Sequence, residues 1–232
     1  MKSGTFSAIA IVLGVTAGYV DTAGYLALQG LFSAHVTGNF VTLAASLVFG
    51  TSGTLAKLLA LPTFCIVIIV TRWASYGLVS RGLPILRTVL TLKVLLLAAA
   101  AALAIHFGPF RDGDTSAALA TGLTLVAAMA IQNAAQRIHL GASPPTTIMT
   151  GTTTQIMIDV ADLTRGLLPT DKKDATRARL VRMSVSVLAF ASGCAAAAAA
   201  YSLAGVYCFL LPPVLGASTL AFRMAAFEGD VR

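Results

Sequence analysis

The chain has 232 residues, of which 57% are hydrophobic and 11% are charged, and its mean hydropathy is +0.85. A soluble domain carries about 25% charged residues, so this composition excludes an ordinary soluble globule. The net charge of +7 does not indicate nucleic-acid binding, because Arg and Lys cluster between apolar segments without an aromatic-rich basic patch. The sequence therefore predicts an all-α integral membrane protein whose main partner is the lipid bilayer.

Residues 6–31 form the first predicted span. Their start resembles a signal peptide, but the apolar run continues past Asp21 to Leu31 and is interpreted as a mature membrane helix. Asp21 lies about midway along this span, where a charged group is costly and indicates a proton relay, a cation ligand or a substrate contact. The alternative is a buried carboxyl group that only hydrogen-bonds between helices. Tyr25, one turn further on, is included in the candidate site.

Residues 37–50 are apolar, but a helix of this length covers only about 21 Å, which is too short to cross hydrocarbon. The segment begins with Thr37-Gly38-Asn39, and the stretch before it, 32–36, contains His35. We predict that 32–36 enters the membrane as irregular backbone and that the short helix leaves on the same side. His35 could titrate near neutral pH, or it could serve only as a hydrogen-bonding group.

Further spans are predicted at 56–79, 87–107, 115–140, 180–203 and 204–223, which gives six in total. Pro212 and Pro213 interrupt the last of them, which neighbouring helices can tolerate in lipid. Within 115–140, Gln132 and Asn133 are polar residues at membrane depth. Arg137, near the end of the same span, could attract an anion or snorkel to the interface.

Residues 150–168 are too polar for a lipid-facing span, because they include five threonines, a glutamine and two aspartates, Asp159 and Asp162. They follow 141–149, in which a Pro-Pro pair opposes helix formation. The pattern predicts a second short helix that dips into the membrane and returns. The sequence leaves open whether the two aspartates face a cavity. For both short segments the alternative is an amphipathic helix on the membrane surface.

The distribution of basic residues orients the predicted helices. The connections 80–87 and 165–182 are strongly basic and are predicted to be cytoplasmic, whereas 108–114 balances one Arg with two Asp and is predicted to lie outside. If both short segments are re-entrant, each half has three spans and one half-helix, and the second half is inverted relative to the first. The predicted halves are residues 1–110 and 111–232, with both termini cytoplasmic.

The two halves share a short pattern. Asp21-Thr22-Ala23 begins 16 residues before Thr37-Gly38, and Asn133-Ala134-Ala135 begins 17 residues before Thr150-Gly151. A helix start has unpaired N–H groups and a partial positive charge, so two Thr-capped starts meeting at the midplane would attract an anion or a polar solute. The candidate site consists of Asp21, Tyr25, His35, Thr37, Gly38, Asn39, Gln132, Asn133, Thr150, Gly151 and Thr152.

Residues 18–44, GYVDTAGYLALQGLFSAHVTGNFVTLA, resemble the signature of the YoaK-like bacterial inner-membrane proteins, a family of unknown function. The resemblance covers nearly the whole chain, and its most specific parts are the stretch around Asp21 and the Thr37-Gly38-Asn39 step. It implies a small polytopic protein of the bacterial inner membrane. It implies no particular substrate or reaction.

These features favour a secondary transporter or facilitator for a small polar or anionic solute, with protons as a candidate coupling ion. A channel is the alternative, and a membrane-embedded enzyme or a scaffold fits less well. No catalytic motif, cofactor site or metal site is predicted, and Cys65, Cys194 and Cys208 lie singly in apolar segments. The substrate, the coupling ion, the direction of transport and the formation of a homo-oligomer stay open.

Overall fold

The computed structural model describes residues 3–141, 143–147, 149–166 and 169–228. These residues form helices and connecting turns, and no strand occurs among them. The helices are α1 (Ser3–Ala27), α2 (Gly38–Phe49), α3 (Thr54–Ser80), α4 (Ile85–Phe107), α5 (Ser116–His139), α6 (Met149–Arg165), α7 (Thr170–Ala204) and α8 (Leu211–Glu228). A 3₁₀ segment, Gly205–Leu210, joins α7 to α8.

Five helical segments of the described chain are long and apolar enough to cross a membrane. They are Ala8–Ala27, Thr54–Ser80, Ile85–Phe107, Ser116–His139 and Asp171–Ala221, the last of which contains α7 and most of α8. Gly38–Phe49 is apolar but shorter. The length of these helices and their composition therefore agree with a multi-pass membrane protein.

Two features of the last helices differ from those predicted: the start of α7 and the effect of the Pro-Pro pair in α8. Helix α7 begins at Thr170 rather than at 180, so most of the basic stretch predicted as a connection is helical. Charged residues gave that stretch the composition of a loop, although Lys and Arg are good helix formers. Pro212 and Pro213 do not interrupt a helix. They lie in the first turn of α8, where a proline breaks no intrahelical hydrogen bond.

Helix α1 packs tightly against α7 through small residues. A Cβ atom built on Gly18 would overlap the carbonyl oxygen of Phe190, and one built on Gly193 would overlap that of Val15. Gly14 lies one turn before Gly18 and faces Ala189, so the two helices run in the same direction. We call this contact the α1–α7 seam. Its backbones approach closely because glycine has no side chain.

Helix α8 runs back along α1 in the opposite direction to α7. The hydroxyl group of Tyr19 donates to the carbonyl oxygen of Cys208, 2.9 Å away. Leu220, about midway along α8, packs against the cluster that contains Ile9 and Leu13. We call the side of the molecule where α1 begins the near face, and the side where α1 ends the far face. Helices α7 and α8 therefore meet at the far face, around Gly205.

Helix α5 is antiparallel to α1 and packs against both α3 and α4. Gly122 touches Leu31 just beyond the end of α1, while the side-chain amide of Gln132 donates to the carbonyl oxygen of Leu13, 2.9 Å away. The start of α3 lies at the far face, where Asp114 accepts hydrogen bonds from backbone N–H groups of residues 53–56. This carboxylate binds the free amide groups of a helix start and holds α3 to the α4–α5 connection.

Candidate functional site

The chain turns back alongside α1 after that helix ends at Ala27. One carboxylate oxygen of Asp21 accepts hydrogen bonds from the backbone N–H groups of Ser33, Ala34 and His35, at 2.8, 2.7 and 3.2 Å. Asp21 lies six residues before the end of α1, so the returning chain reaches about 9 Å below that end. We call residues 28–37 the first return loop. Asp21 is buried and satisfies three amide groups that have no helical partner.

Asn39 fixes the other end of the first return loop. Its side chain accepts a hydrogen bond from the N–H group of Phe32 at 2.9 Å and donates to the carbonyl oxygen of the same residue at 2.8 Å. Gly38 lies against the ring of Phe32, where a Cβ atom would come within 2.9 Å of it. Tyr25 is partly exposed and its ring lies 5.0 Å from that of Phe32. These candidate residues therefore shape the loop.

The start of α2 differs from the predicted capped, anion-binding helix end. Thr37 occupies the N-cap position but its side chain makes no capping hydrogen bond. The first backbone N–H groups of α2 donate to carbonyl oxygens of the loop, at 2.9 to 3.2 Å. The expectation of free amide donors at this point was wrong, because a tight turn continues the hydrogen-bond pattern into the helix.

A second return loop, residues 141 and 143–147, follows α5 in the same way. The hydroxyl group of Thr147 donates to the side-chain oxygen of Asn133 at 2.8 Å. The amide group of Gln132, fully buried, lies 3.2 Å from the hydroxyl oxygen of Thr146. Ser186 of α7 donates to the carbonyl oxygen of Pro145 at 2.9 Å. Residues 142 and 148 of the predicted 141–149 arm lie outside the described residues.

Helix α6 runs from the level of Asn133 toward the near face and packs on α7. The guanidinium group of Arg179 forms two hydrogen bonds with the carboxylate of Asp159, at 2.6 and 2.9 Å. These bonds lower the pKa of the Asp159 carboxyl below its usual value. Asp159 therefore anchors α6 to α7. Asp162 is exposed, and residues 167 and 168 of the predicted segment 150–168 lie outside the described residues.

A cavity of about 670 Å³ lies where the two return loops approach each other between α3 and α5. Four of the predicted site residues line it: His35, Thr37, Asn133 and Thr150. The remaining lining residues are Ala34, Val36, Leu61, Phe64, Ile68, Arg72, Ala134, Arg137, Ile138, Thr147 and Met149. The other predicted residues do not line it: Asp21, Tyr25, Gly38, Asn39, Gln132, Gly151 and Thr152.

Arg72 and Arg137 are the charged residues of this cavity. On α3 the lining residues Leu61, Phe64 and Ile68 share one helical face with Arg72, which lies nearest the near face. Arg137 is one turn beyond Asn133 in the same direction. Both guanidinium groups therefore lie at the near-face end of the cavity. Arg72 is not among the predicted site residues, although a lone arginine in the apolar run 56–79 is a signal for a functional site.

A shallower groove continues from the cavity along α6. It is lined by Met149, Thr150, Thr153, Thr154, Met157, Ile158 and Ala161, and several of these residues are exposed. Its threonine hydroxyl groups extend the polar lining toward the near face. Among the described residues, no group of three His, Cys, Asp or Glu side chains is arranged to hold a metal ion.

These features define a multi-pass helical membrane protein with a cavity between two return loops that is lined by both apolar and polar side chains. The chain belongs to the family DUF1275, described as a protein of unknown function, which matches residues 9–222. Neither a curated protein nor a solved structure shows a significant match to it.

Proposed function

We propose that the protein is a secondary transporter or facilitator that moves a small polar or anionic solute across the bacterial inner membrane. The cavity between the two return loops carries this proposal. It combines Thr37 of the first half with Asn133 and Thr150 of the second half, and its volume falls within the range of about 300–1,000 Å³ that is typical of small-molecule sites. Polar backbone at membrane depth is tolerated where it lines such a cavity.

An inverted repeat of residues 1–110 and 111–232 is part of the proposal. Exchanging α1 with α5, α2 with α6, α3 with α7 and α4 with α8 turns each main helix contact into another observed contact. Thus α1–α7 corresponds to α3–α5, α1–α8 to α4–α5, and α2–α3 to α6–α7. Counting α7 and α8 as separate crossings gives six spans, and α2 and α6 then act as re-entrant half-helices.

Residue equivalences support the same exchange. Ser46 lies nine residues after Thr37, and Asp159 lies nine residues after Thr150. Each joins its half-helix to a basic residue of the following helix, since Lys57 donates to the hydroxyl oxygen of Ser46 at 2.5 Å and Arg179 pairs with Asp159. The residues before the half-helices also correspond, because Asp21 and Asn133 both bind the return loop that follows them.

The near face is the cytoplasmic face in this proposal. The basic connection 80–87 and the basic start of α7 both lie there, as the positive-inside rule requires. Both chain ends would then be cytoplasmic, although residues 1–2 and 229–232 lie outside the described part. We also propose that the chain is YoaK-like and has no catalytic role, with lipid, solute and protons as partners. His35 contributes an imidazole to the cavity lining, while Asp21 holds the loop behind it.

Uptake by proteoliposomes tests the proposal. Purified protein would be reconstituted with a library of labelled metabolites, and uptake would be compared with a Thr150→Trp variant, in which the bulky ring fills the cavity. We expect saturable uptake that is lost in this variant but retained in Leu203→Trp, which alters an exposed position outside the cavity. Uptake that never saturates and shows no counter-transport would indicate a channel. No flux of any solute would refute transport.

A further inference from the structure

Resting on the proposed function, we infer that the cavity selects a small organic anion: a carboxylate bound by Arg72 and Arg137, carrying an apolar body. Both guanidinium groups line the near-face end of the cavity. Among the described lining residues there is no acidic side chain to neutralise them. The cavity mouth is therefore positive, which attracts anions and repels cations.

The two guanidinium groups have donors available for a ligand. Neither forms an ion pair or a side-chain hydrogen bond with another described residue. Arg72 stacks over the ring of Tyr76, with 4.5 Å between its carbon atom and the ring centre. Such stacking holds the guanidinium plane but leaves the N–H groups at its edge free. Arginine binds a carboxylate through two parallel hydrogen bonds, a geometry that a planar carboxylate matches.

The other walls of the cavity indicate an apolar body on the ligand. Leu61, Phe64 and Ile68 line the α3 wall, and Ile138 and Met149 lie elsewhere along the cavity. An inorganic anion would leave these side chains facing water, whereas an alkyl or aryl group would bury against them at about 25 cal/mol per Å². The threonines and Asn133 can additionally hydrogen-bond a hydroxyl or carbonyl group. A small organic acid therefore fits the cavity better than phosphate or chloride.

Equilibrium binding to the full-length protein in a neutral detergent tests this inference. The probes are hexanoate, its neutral isostere hexanamide, the cation hexylamine, and formate as an anion without an apolar body. We expect saturable binding of hexanoate that is about ten- to hundred-fold tighter than that of hexanamide or hexylamine, because these lack the charge-assisted pair with the arginines. Hexanoate should also bind at least about ten-fold tighter than formate, because formate has no apolar body to bury against the cavity walls. Stronger binding of hexylamine, equal binding of formate, or no binding of hexanoate would overturn it.

Matched arginine variants locate the binding. Arg72→Gln and Arg137→Gln should each weaken hexanoate binding about ten-fold or more, and Arg137→Lys should restore part of it by keeping the charge. Arg81→Gln, an exposed change outside the cavity, should bind like the unaltered protein. Each variant is first checked for monodisperse elution, and Arg→Lys serves where Arg→Gln does not fold. Hexanoate binding that is unchanged by both cavity variants would refute the inference.

Parallel flux measurements separate this inference from transport itself. Hexanoate binding that depends on the arginines, without flux of any solute, would leave the anion site intact and refute transport. Saturable flux of a neutral solute that is insensitive to Arg72→Gln and Arg137→Gln would retain transport and refute the anion site. Flux of hexanoate that both variants abolish would support the two together.

Discussion

The α1–α7 seam and the contact between α3 and α5 have the same place in the two halves of the proposed repeat but are packed in opposite ways. In the seam, Gly18 and Gly193 let backbones touch and leave no space. Between α3 and α5, Leu61, Phe64 and Arg72 line a cavity of about 670 Å³. Small residues close one contact, and large residues hold the other apart.

This difference has a functional meaning for a transporter. In the proposed transporter, the close-packed α1–α7 seam would hold the helices together, and the contact between α3 and α5 would leave room for the solute. The comparison predicts that the seam carries stability, whereas the cavity carries binding.

Widening the seam should have the largest effect on stability. A Cβ atom on Gly193 would overlap a backbone oxygen that cannot move independently, so Gly193→Ala should destabilise the protein by about 3 kcal/mol. The matched control is Gly77→Ala on α3, where a Cβ atom meets nothing within 4 Å and helix propensity should add up to about 1 kcal/mol. Thermal unfolding followed by Trp73 fluorescence would measure both. Equal midpoints for the two variants would mean that the seam is not closely packed.

Removing Asp21 should have the next largest effect. Asp21→Ala leaves three backbone amide groups without a partner, two of them buried and that of His35 partly buried, which should lower the free energy of unfolding by about 2–3 kcal/mol. Asn133→Ala removes the acceptor of one hydrogen bond from Thr147 of the second return loop. This change should lower the free energy of unfolding by about 1 kcal/mol.

Asp21→Asn separates the structural role of this residue from a role in proton transfer. It keeps one acceptor oxygen but cannot ionise, so we expect most of the stability and the solute uptake to remain. Loss of proton-coupled uptake with an unchanged unfolding midpoint would show that Asp21 carries protons, as its position in the sequence also allowed.

The general architecture could be predicted because hydrophobic length and polar content are local properties. The apolar spans, the short α2 and the polar α6 all follow from such patterns. The role of Asp21 could not be predicted, because its partners lie 12 to 14 residues away in a loop whose path depends on packing. The cavity position of Arg72 likewise depends on the separation of α3 from α5, which no local pattern encodes.

Chemical labelling should distinguish the open cavity from the close-packed core. A cysteine in the cavity should react with a water-soluble reagent and one in the core should not, with little change in stability. In a variant without the three native cysteines, Thr150→Cys lines the cavity, whereas Ala197→Cys lies fully buried in the protein core. We expect a water-soluble maleimide applied to the near face to modify the first and spare the second. If Thr150→Cys were labelled only from the far face, the cavity would open there, which would contradict a cavity mouth at the near face.

The bonds that hold α2 and α6 to the helices that follow them should contribute less stability than Gly193 or Asp21. Asp159→Asn weakens the link of α6 to Arg179, whose side chain is 45% exposed while that of Asp159 is fully buried, so we expect a loss of about 1–2 kcal/mol at neutral pH. Ser46→Ala removes one partner of Lys57 on the equivalent link of α2 and should cost about 1 kcal/mol.

Acid should remove the destabilising effect of Asp159→Asn but not that of Ser46→Ala. The folded protein holds the pKa of Asp159 below its ordinary value of 3.8, so this carboxylate contributes stability above pH 3.8 that is lost as the pH falls through its lowered pKa. The unfolding midpoint of Asp159→Asn should therefore approach that of the unaltered protein in acid, while the Ser46→Ala difference persists. If the Asp159→Asn difference stays constant over this pH range, the substitution destabilises the protein by disturbing packing and not by removing a charge. The link of α6 would then be insensitive to pH, like the link of α2.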